Sequence, residues 1–99
     1  MLKEDRRGQQ VARLPVSSTK SQLGHCLGAA GAVEAVATVL ALDEGLLPPT
    51  VNLRHLDPAW DDLDLVPEAG RRARLAVAVS SSYGFGGHNV SLVFGRVAR

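Results

Sequence analysis

In "VSSTKSQLGHCLGAAGAVEA" (Val16–Ala35), a lysine, a histidine and the chain's only cysteine precede a run of small apolar residues. These residue types could do chemistry in two ways. Cys26 could be a nucleophile with His25 as its base, or His25 could act as an electrophile supported by Lys20. The first arrangement needs heavy atoms within roughly 2.6–3.2 Å. Adjacent residues seldom face each other, and on a helix they point about 100° apart. Cys26 is therefore a poor partner for His25. The Leu-Gly-Ala-Ala that follows it is the setting of a small buried hydrophobe.

His25 follows Gly24 at the mouth of an apolar helix, where free N–H groups and the positive end of the helix dipole lie. That field, with Lys20 nearby, favours a neutral imidazole. A neutral ring can donate a hydrogen bond to a developing enolate or oxyanion. A histidine that only caps or packs is the plainer alternative, and the residue pattern alone leaves both open.

A second group is "YGFGGHN", Tyr83–Asn89. Its glycines at 84, 86 and 87 do not space as a dinucleotide fingerprint, and the lysine of a phosphate-binding loop is missing. Three glycines around Phe85 allow unusual backbone angles, which suits a hinged aromatic gate over a pocket. The alternative is a glycine-rich hairpin with a core phenylalanine.

The elements that must position these residues follow from the apolar pattern. "VARLPVSS" (Val11–Ser18) reads as a short strand with Pro15 at an edge or entry position. Thr19–Gly24 reads as a loop. A helix is expected from about Leu27 to Glu44, stopped by Gly45 and kept from resuming by Pro48-Pro49. Residues 49–64 read as irregular, "LDLV" (Leu63–Val66) as a short strand, and "RLAVAVSSS" (Arg74–Ser82) as a buried one. The last strand, "VSLVFGRVA", makes a hairpin with it across the glycine-rich connection.

The helix is apolar on nearly every side, and such a helix is buried on all sides. Ninety-nine residues with two or three strands cannot surround it, so the chain reads as a piece of something larger or half of an obligate assembly. Glu34 interrupts that surface. A lone buried carboxylate costs several kcal/mol and takes a cation as partner, or sits at a rim and meets water. Lys20 is the most attractive cation in the loop leading into the helix.

Composition limits the rest. Net charge is +1, which points to no nucleic acid or membrane partner. One cysteine excludes an internal disulfide framework and multi-cysteine zinc sites, and fits a reducing, cytoplasmic setting. "MLKEDRRGQQ" has no apolar stretch behind it, so no signal peptide is expected, and residues 1–10 read as a solvated turn or helix end. The run Leu27–Leu42 is shorter than the ~20 residues of a membrane span and carries Glu34 midway.

Three stretches in register, "VSSTKSQLGHCLGAAGAVEA", "LPPTVNL" and "SSYGFGGHNVSLVFGR", resemble the C-terminal part of the elongating β-ketoacyl-acyl-carrier-protein synthases, in the thiolase-like superfamily. The resemblance runs from about residue 12 to the end, within a domain taken as 11–99. It implies an α/β fold, the second half of a layered α/β/α/β/α structure, incomplete here, with the Leu27–Glu44 helix central. It implies decarboxylative condensation of malonyl-ACP with an enzyme-bound acyl group in fatty acid elongation. Under it His25 hydrogen-bonds the malonyl thioester carbonyl, while Lys20 supports the site by pairing with Glu34. Phe85 falls on a gatekeeper within the loop of Gly84, Gly86 and Gly87, and Asn89 lies near the entrance.

The same resemblance implies no metal or dissociable cofactor, acyl carrier protein as partner, and a homodimer for the full enzyme. Cys26 stands where Leu or Ser is usual, Ser81 where Asn is common, Tyr83 where Phe is, and His88 where Thr is commoner. The family's nucleophilic cysteine, first active-site histidine and arm-binding threonines fall upstream of Met1. The chain alone is therefore expected to be inactive. Other roles consistent with the resemblance are a non-catalytic, pocket-shaping or split-gene partner subunit, and a piece of a polyketide ketosynthase.

Overall fold

The computed structural model describes residues 2–4, 10–60 and 62–98. Its centre is helix α2 (Ala30–Glu44), entered through a 3-10 turn at Leu27–Ala29. Fifteen residues rich in Ala, Val and Leu, with no interior proline, propagate the helix readily. Gly45 ends it in the left-handed region at φ 64°, its N–H returning to the Ala41 carbonyl. The expected span and stop are both present.

Helix α2 lies against an antiparallel hairpin whose strands, Val77–Gly84 and His88–Gly95, carry the labels β7 and β8 below. Six shorter strands make three two-residue or three-residue pairings ahead of it. Strands β1 (Leu2–Glu4) and β2 (Gln10–Ala12) are antiparallel. Strand β3 (Pro15–Val16) runs parallel to β5 (Asp64–Leu65), and β4 (Leu46–Leu47) antiparallel to β6 (Arg71–Arg72). The N-terminal segment, read as a solvated turn or helix end, thus supplies strand β1 and the first residue of β2. Residues 5–9, between these strands, lie outside the described residues.

The hairpin lies nearer its tip than the sequence suggests, its strands starting at Val77 and ending at Gly95, and its turn is tighter. The strands extend to the pair Gly84↔His88, leaving only Phe85, Gly86 and Gly87 to reverse the chain. Gly86 and Gly87 both sit at φ 82°, a region that glycine alone enters without strain, so three residues suffice. Tyr83 and Asn89, expected in the loop, instead face each other across the strands.

One face of the hairpin, with half-buried Ala78, Ser80 and Ser82, covers α2. Gly31 lies beneath Ser82, where a Cβ would stand at ordinary contact distance, 3.6 Å, from Ser82 Oγ. The small core comprises Ala30, Leu42, Leu47 and Val66, the last 1% exposed. Beyond it, apolar surface lies open on both sides. Val36 and Leu40 of α2 are 59% and 52% exposed, and Val77, Val79 and Val93 are bare on the outer face of the hairpin. The described residues thus cover α2 on one side only, where its sequence calls for cover all round.

Strands β5 and β6 are tied by a bidentate ion pair, Arg71 Nη1 and Nη2 donating to the two Asp64 oxygens at 2.8 Å. Those hydrogen bonds, then the guanidinium charge, hold the Asp64 carboxyl below its ordinary value against the opposing effect of partial burial. A carboxylate depressed by folding stabilises the fold fully above its unfolded value, and that stabilisation is lost as pH falls through the lower folded value. Thermal midpoints measured across acidic pH should therefore fall below pH ~4 by an increment that Asp64→Asn removes. An identical acid profile for the variant would deny the pair that role.

Candidate functional site

Both ends of α2 are defined by what lies beside them. At its C-terminus Asp43, Glu44 and Gly45 share an open groove of about 440 Å³ with Arg72, Arg74 and Arg96, residues flanking the hairpin's open end. At its N-terminus Gly31 meets Ser82, near the hairpin's closed end. Helix α2 and β7 are therefore antiparallel, and the tip Phe85-Gly86-Gly87 points to the end of α2 where Lys20, His25 and Glu34 lie. The groove at the opposite end is lined by charges of both signs on terminal segments, with no nucleophile.

The segment before α2 is a short helical turn, α1 (Lys20–Leu23), where the sequence suggests a loop. Gly24, at φ 74°, closes it and lets the chain reverse into α2. Lys20 Nζ donates to Glu34 Oε1, joining α1 to the first turns of α2. The carboxylate side chain is 15% exposed and the lysine 38%, so this is a half-buried pair rather than a rim carboxylate in water. Thr19, Leu23, Gly24, Cys26, Ala30 and Val33 complete the small cleft around it.

His25 is exposed beside that cleft, and one bond fixes which ring nitrogen faces the backbone. The Leu27 N–H donates to His25 Nδ1 at 2.9 Å. A nitrogen that accepts carries no proton, so in this arrangement the ring hydrogen sits on Nε2. The free Nε2–H is then a hydrogen-bond donor available to a ligand. Leu27 reaches this position at φ 51°, in the left-handed region. Such a backbone costs about 1–2 kcal/mol for a residue with a Cβ. No sequence signal marks a leucine for it.

Two expected features differ. Cys26 is exposed rather than packed, as are its apolar chain neighbours Leu23 and Leu27. It begins the 3-10 turn and makes no hydrogen bond with His25. Phe85 is fully exposed at the hairpin tip, not a core phenylalanine. With Gly84, Gly86 and Gly87 around it, the aromatic stands free at the same end of the molecule as His25. Asn89 is exposed on β8, four residues beyond.

The "LPPTVNL" segment, read from the sequence as irregular chain after the helix, lies directly on α1. Ser18 N–H donates to Thr50 Oγ1 at 2.9 Å, and Val51 N–H donates to Ser21 Oγ at 2.9 Å. Ser21 Oγ in turn donates to the Ser18 carbonyl at 2.8 Å. Asn52, at φ 65°, turns the chain away immediately afterwards. Asparagine tolerates that region better than most residues.

Residues 2–54 match the family described as "Beta-ketoacyl synthase, C-terminal domain". The chain belongs to this family. Among proteins similar to this β-ketoacyl synthase chain is 3-oxoacyl-[acyl-carrier-protein] synthase 2 of Synechocystis, 53% identical over 87 residues, covering 88% of this chain and 21% of the relative. The Coxiella burnetii protein of the same name is 49% identical over 90 residues, covering 91% and 22%. A crystal structure of a β-ketoacyl synthase from Burkholderia phymatum superposes with a TM-score of 0.82 at 42% identity, covering 87% of this chain and 21% of that one. The chain thus spans about a fifth of the length of the relatives it matches, and its fold is the C-terminal part of the thiolase-like architecture. Among the described residues no helix is long and apolar enough to cross a membrane.

Proposed function

We propose that these residues are the C-terminal portion of a β-ketoacyl-ACP synthase and supply its decarboxylating electrophile. The observation that carries the reading is the Leu27 N–H bond to His25 Nδ1, which leaves Nε2–H as a donor. In the reaction, malonyl-ACP enters on its phosphopantetheine arm. The bond from the malonyl methylene carbon to its carboxylate breaks and carbon dioxide leaves. The electron pair passes into the thioester as an enolate, whose oxygen accepts the hydrogen bond from His25 Nε2. The enolate carbon then attacks the carbonyl of an acyl group held as a thioester, a C–C bond forms, and the thiolate departs.

That thiolate belongs to a cysteine outside this chain, since Cys26 makes no hydrogen bond with His25 and His25 has no proton-accepting nitrogen left for it. Residues 11–99 then act as a partial domain that needs the rest of a synthase, with a homodimer as the working form in the cytoplasm. Lys20 and Glu34 hold the cleft, Phe85 gates the acyl pocket through the glycines at 84, 86 and 87, and Asn89 lies at the entrance. No metal or dissociable cofactor takes part. A second reading, a non-catalytic partner subunit, draws support from the bare apolar surfaces of α2 and the hairpin.

Grafting this chain onto the Synechocystis relative, in place of the residues it matches, separates the two. The first reading predicts that carbon dioxide is released from malonyl-ACP and a β-ketoacyl product forms. A folded, acyl-accepting assembly that releases no carbon dioxide would favour the partner-subunit reading. In the same assembly Phe85→Ala should change which acyl chains load, while malonyl-ACP decarboxylation persists. An unchanged acyl profile would contradict the gate.

A further inference from the structure

A four-residue helix does not hold itself together: nucleation fixes several dihedrals for very few hydrogen bonds. Helix α1 has no help from its own cap, because the Thr19 side chain makes no capping hydrogen bond. Yet this turn carries Lys20 into its pair with Glu34 and launches the chain through Gly24 to His25. Something outside α1 must fix it.

The hydrogen bonds beside α1 form a closed ring. Ser18 N–H donates to Thr50 Oγ1, Thr50 is followed by Val51, Val51 N–H donates to Ser21 Oγ, and Ser21 Oγ donates back to the Ser18 carbonyl. Both backbone polar groups of Ser18 are thereby engaged, one by a residue 32 positions away. Gln22 Nε2 adds a longer contact to the Pro49 carbonyl at 3.4 Å. Pro49 keeps the chain from continuing as a helix, and Asn52 turns it away after Val51. The two ring members on this segment, Thr50 Oγ1 and Val51 N–H, are therefore presented side by side to α1.

We infer that Thr50 and Ser21 are positioning residues for the catalytic end of α2, bracing α1 so that Lys20 and His25 keep their places. Neither touches the substrate. Their effect passes through the backbone of Ser18–Gly24, and displacement of a reacting group by about 1 Å costs up to ~10²-fold in rate. The inference rests on the condensing-enzyme reading of the site.

The test uses the synthase assembled from this chain and the upstream part of the Synechocystis relative. Malonyl-ACP decarboxylation is measured for Thr50→Val, Ser21→Ala and Thr50→Ser, with exchange of the Ser18 amide followed in each. Thr50→Val and Ser21→Ala should lower kcat by about 10-fold or more with little change in KM, as expected when only the orientation of the reacting groups suffers. Thr50→Ser, which keeps the hydroxyl, should restore most of the rate. A Thr50→Val enzyme with a freely exchanging Ser18 amide and undiminished kcat would overturn the inference, as would a Thr50→Ser enzyme no better than Thr50→Val. If the unsubstituted assembly takes up acyl groups but releases no carbon dioxide, the condensing reading itself fails, and the brace with it.

Discussion

Replacing His25 by alanine in the assembled synthase is expected to lower decarboxylation and condensation about 10²–10³-fold, the usual consequence of losing one oxyanion donor. Acyl transfer to the upstream cysteine should remain largely intact. The reason is geometric. His25 Nδ1 is occupied by the Leu27 amide, so the ring can give a hydrogen bond through Nε2 but cannot take a proton from a thiol. Under the proposed function it acts where negative charge develops on the malonyl thioester and takes no part in generating a nucleophile. Parallel loss of acyl transfer and decarboxylation would contradict that division. His25→Gln, which retains a donor without the same geometry, should fall between alanine and the native enzyme.

The second large effect is expected at the Lys20–Glu34 pair. Removing one partner of a buried ion pair typically costs about 3–5 kcal/mol, because the other charge stays behind uncompensated. Lys20 is 38% exposed, so water reaches the pair and the loss from Lys20→Ala should be smaller, about 1–2 kcal/mol. The thermal midpoint should drop and decarboxylation should fall with it. The double variant Lys20→Met/Glu34→Leu discriminates between two roles. Replacing both charges by apolar side chains should recover most of the stability. Decarboxylation should not recover, because the link between α1 and α2 near His25 is gone. Recovery of both together would make the pair a purely structural device.

How far the sequence leads depends on the range of the interaction concerned. Helix α2 is legible because its causes are local: a long apolar run, no interior proline, and Gly45 as a left-handed stop. The partner of Glu34 is legible too, since a carboxylate among Ala and Val residues needs a cation and Lys20 is the near one. The hairpin is foreseen but its turn is drawn too long, because two consecutive left-handed glycines let Gly84 and His88 pair directly.

What the sequence does not disclose is set by distant contacts. Helix α1 looks like a loop because its order comes from Thr50 and Val51, some 30 residues on. The pairing of β4 with β6 is likewise invisible in two-residue segments, where "Leu46–Leu47" and "Arg71–Arg72" carry no strand pattern of their own. Leu27 is the clearest case. Its left-handed backbone runs against residue preference, and the hydrogen bond it makes to His25 gives that strain a purpose at the site. Cys26 shows the reverse error, since the apolar sequence around it implies burial that these residues alone do not provide.

The decisive observation is the tautomer of His25. Nitrogen-15 NMR of the imidazole, recorded at neutral pH on the assembled synthase with labelled histidine, reports which ring nitrogen carries the proton. A neutral ring protonated at Nε2, with Nδ1 bare and accepting from the Leu27 amide, is the predicted result. A ring protonated at Nδ1, or at both nitrogens, would contradict it: the Leu27 bond could not exist, and the electrophile proposed for malonyl decarboxylation would lose its structural basis.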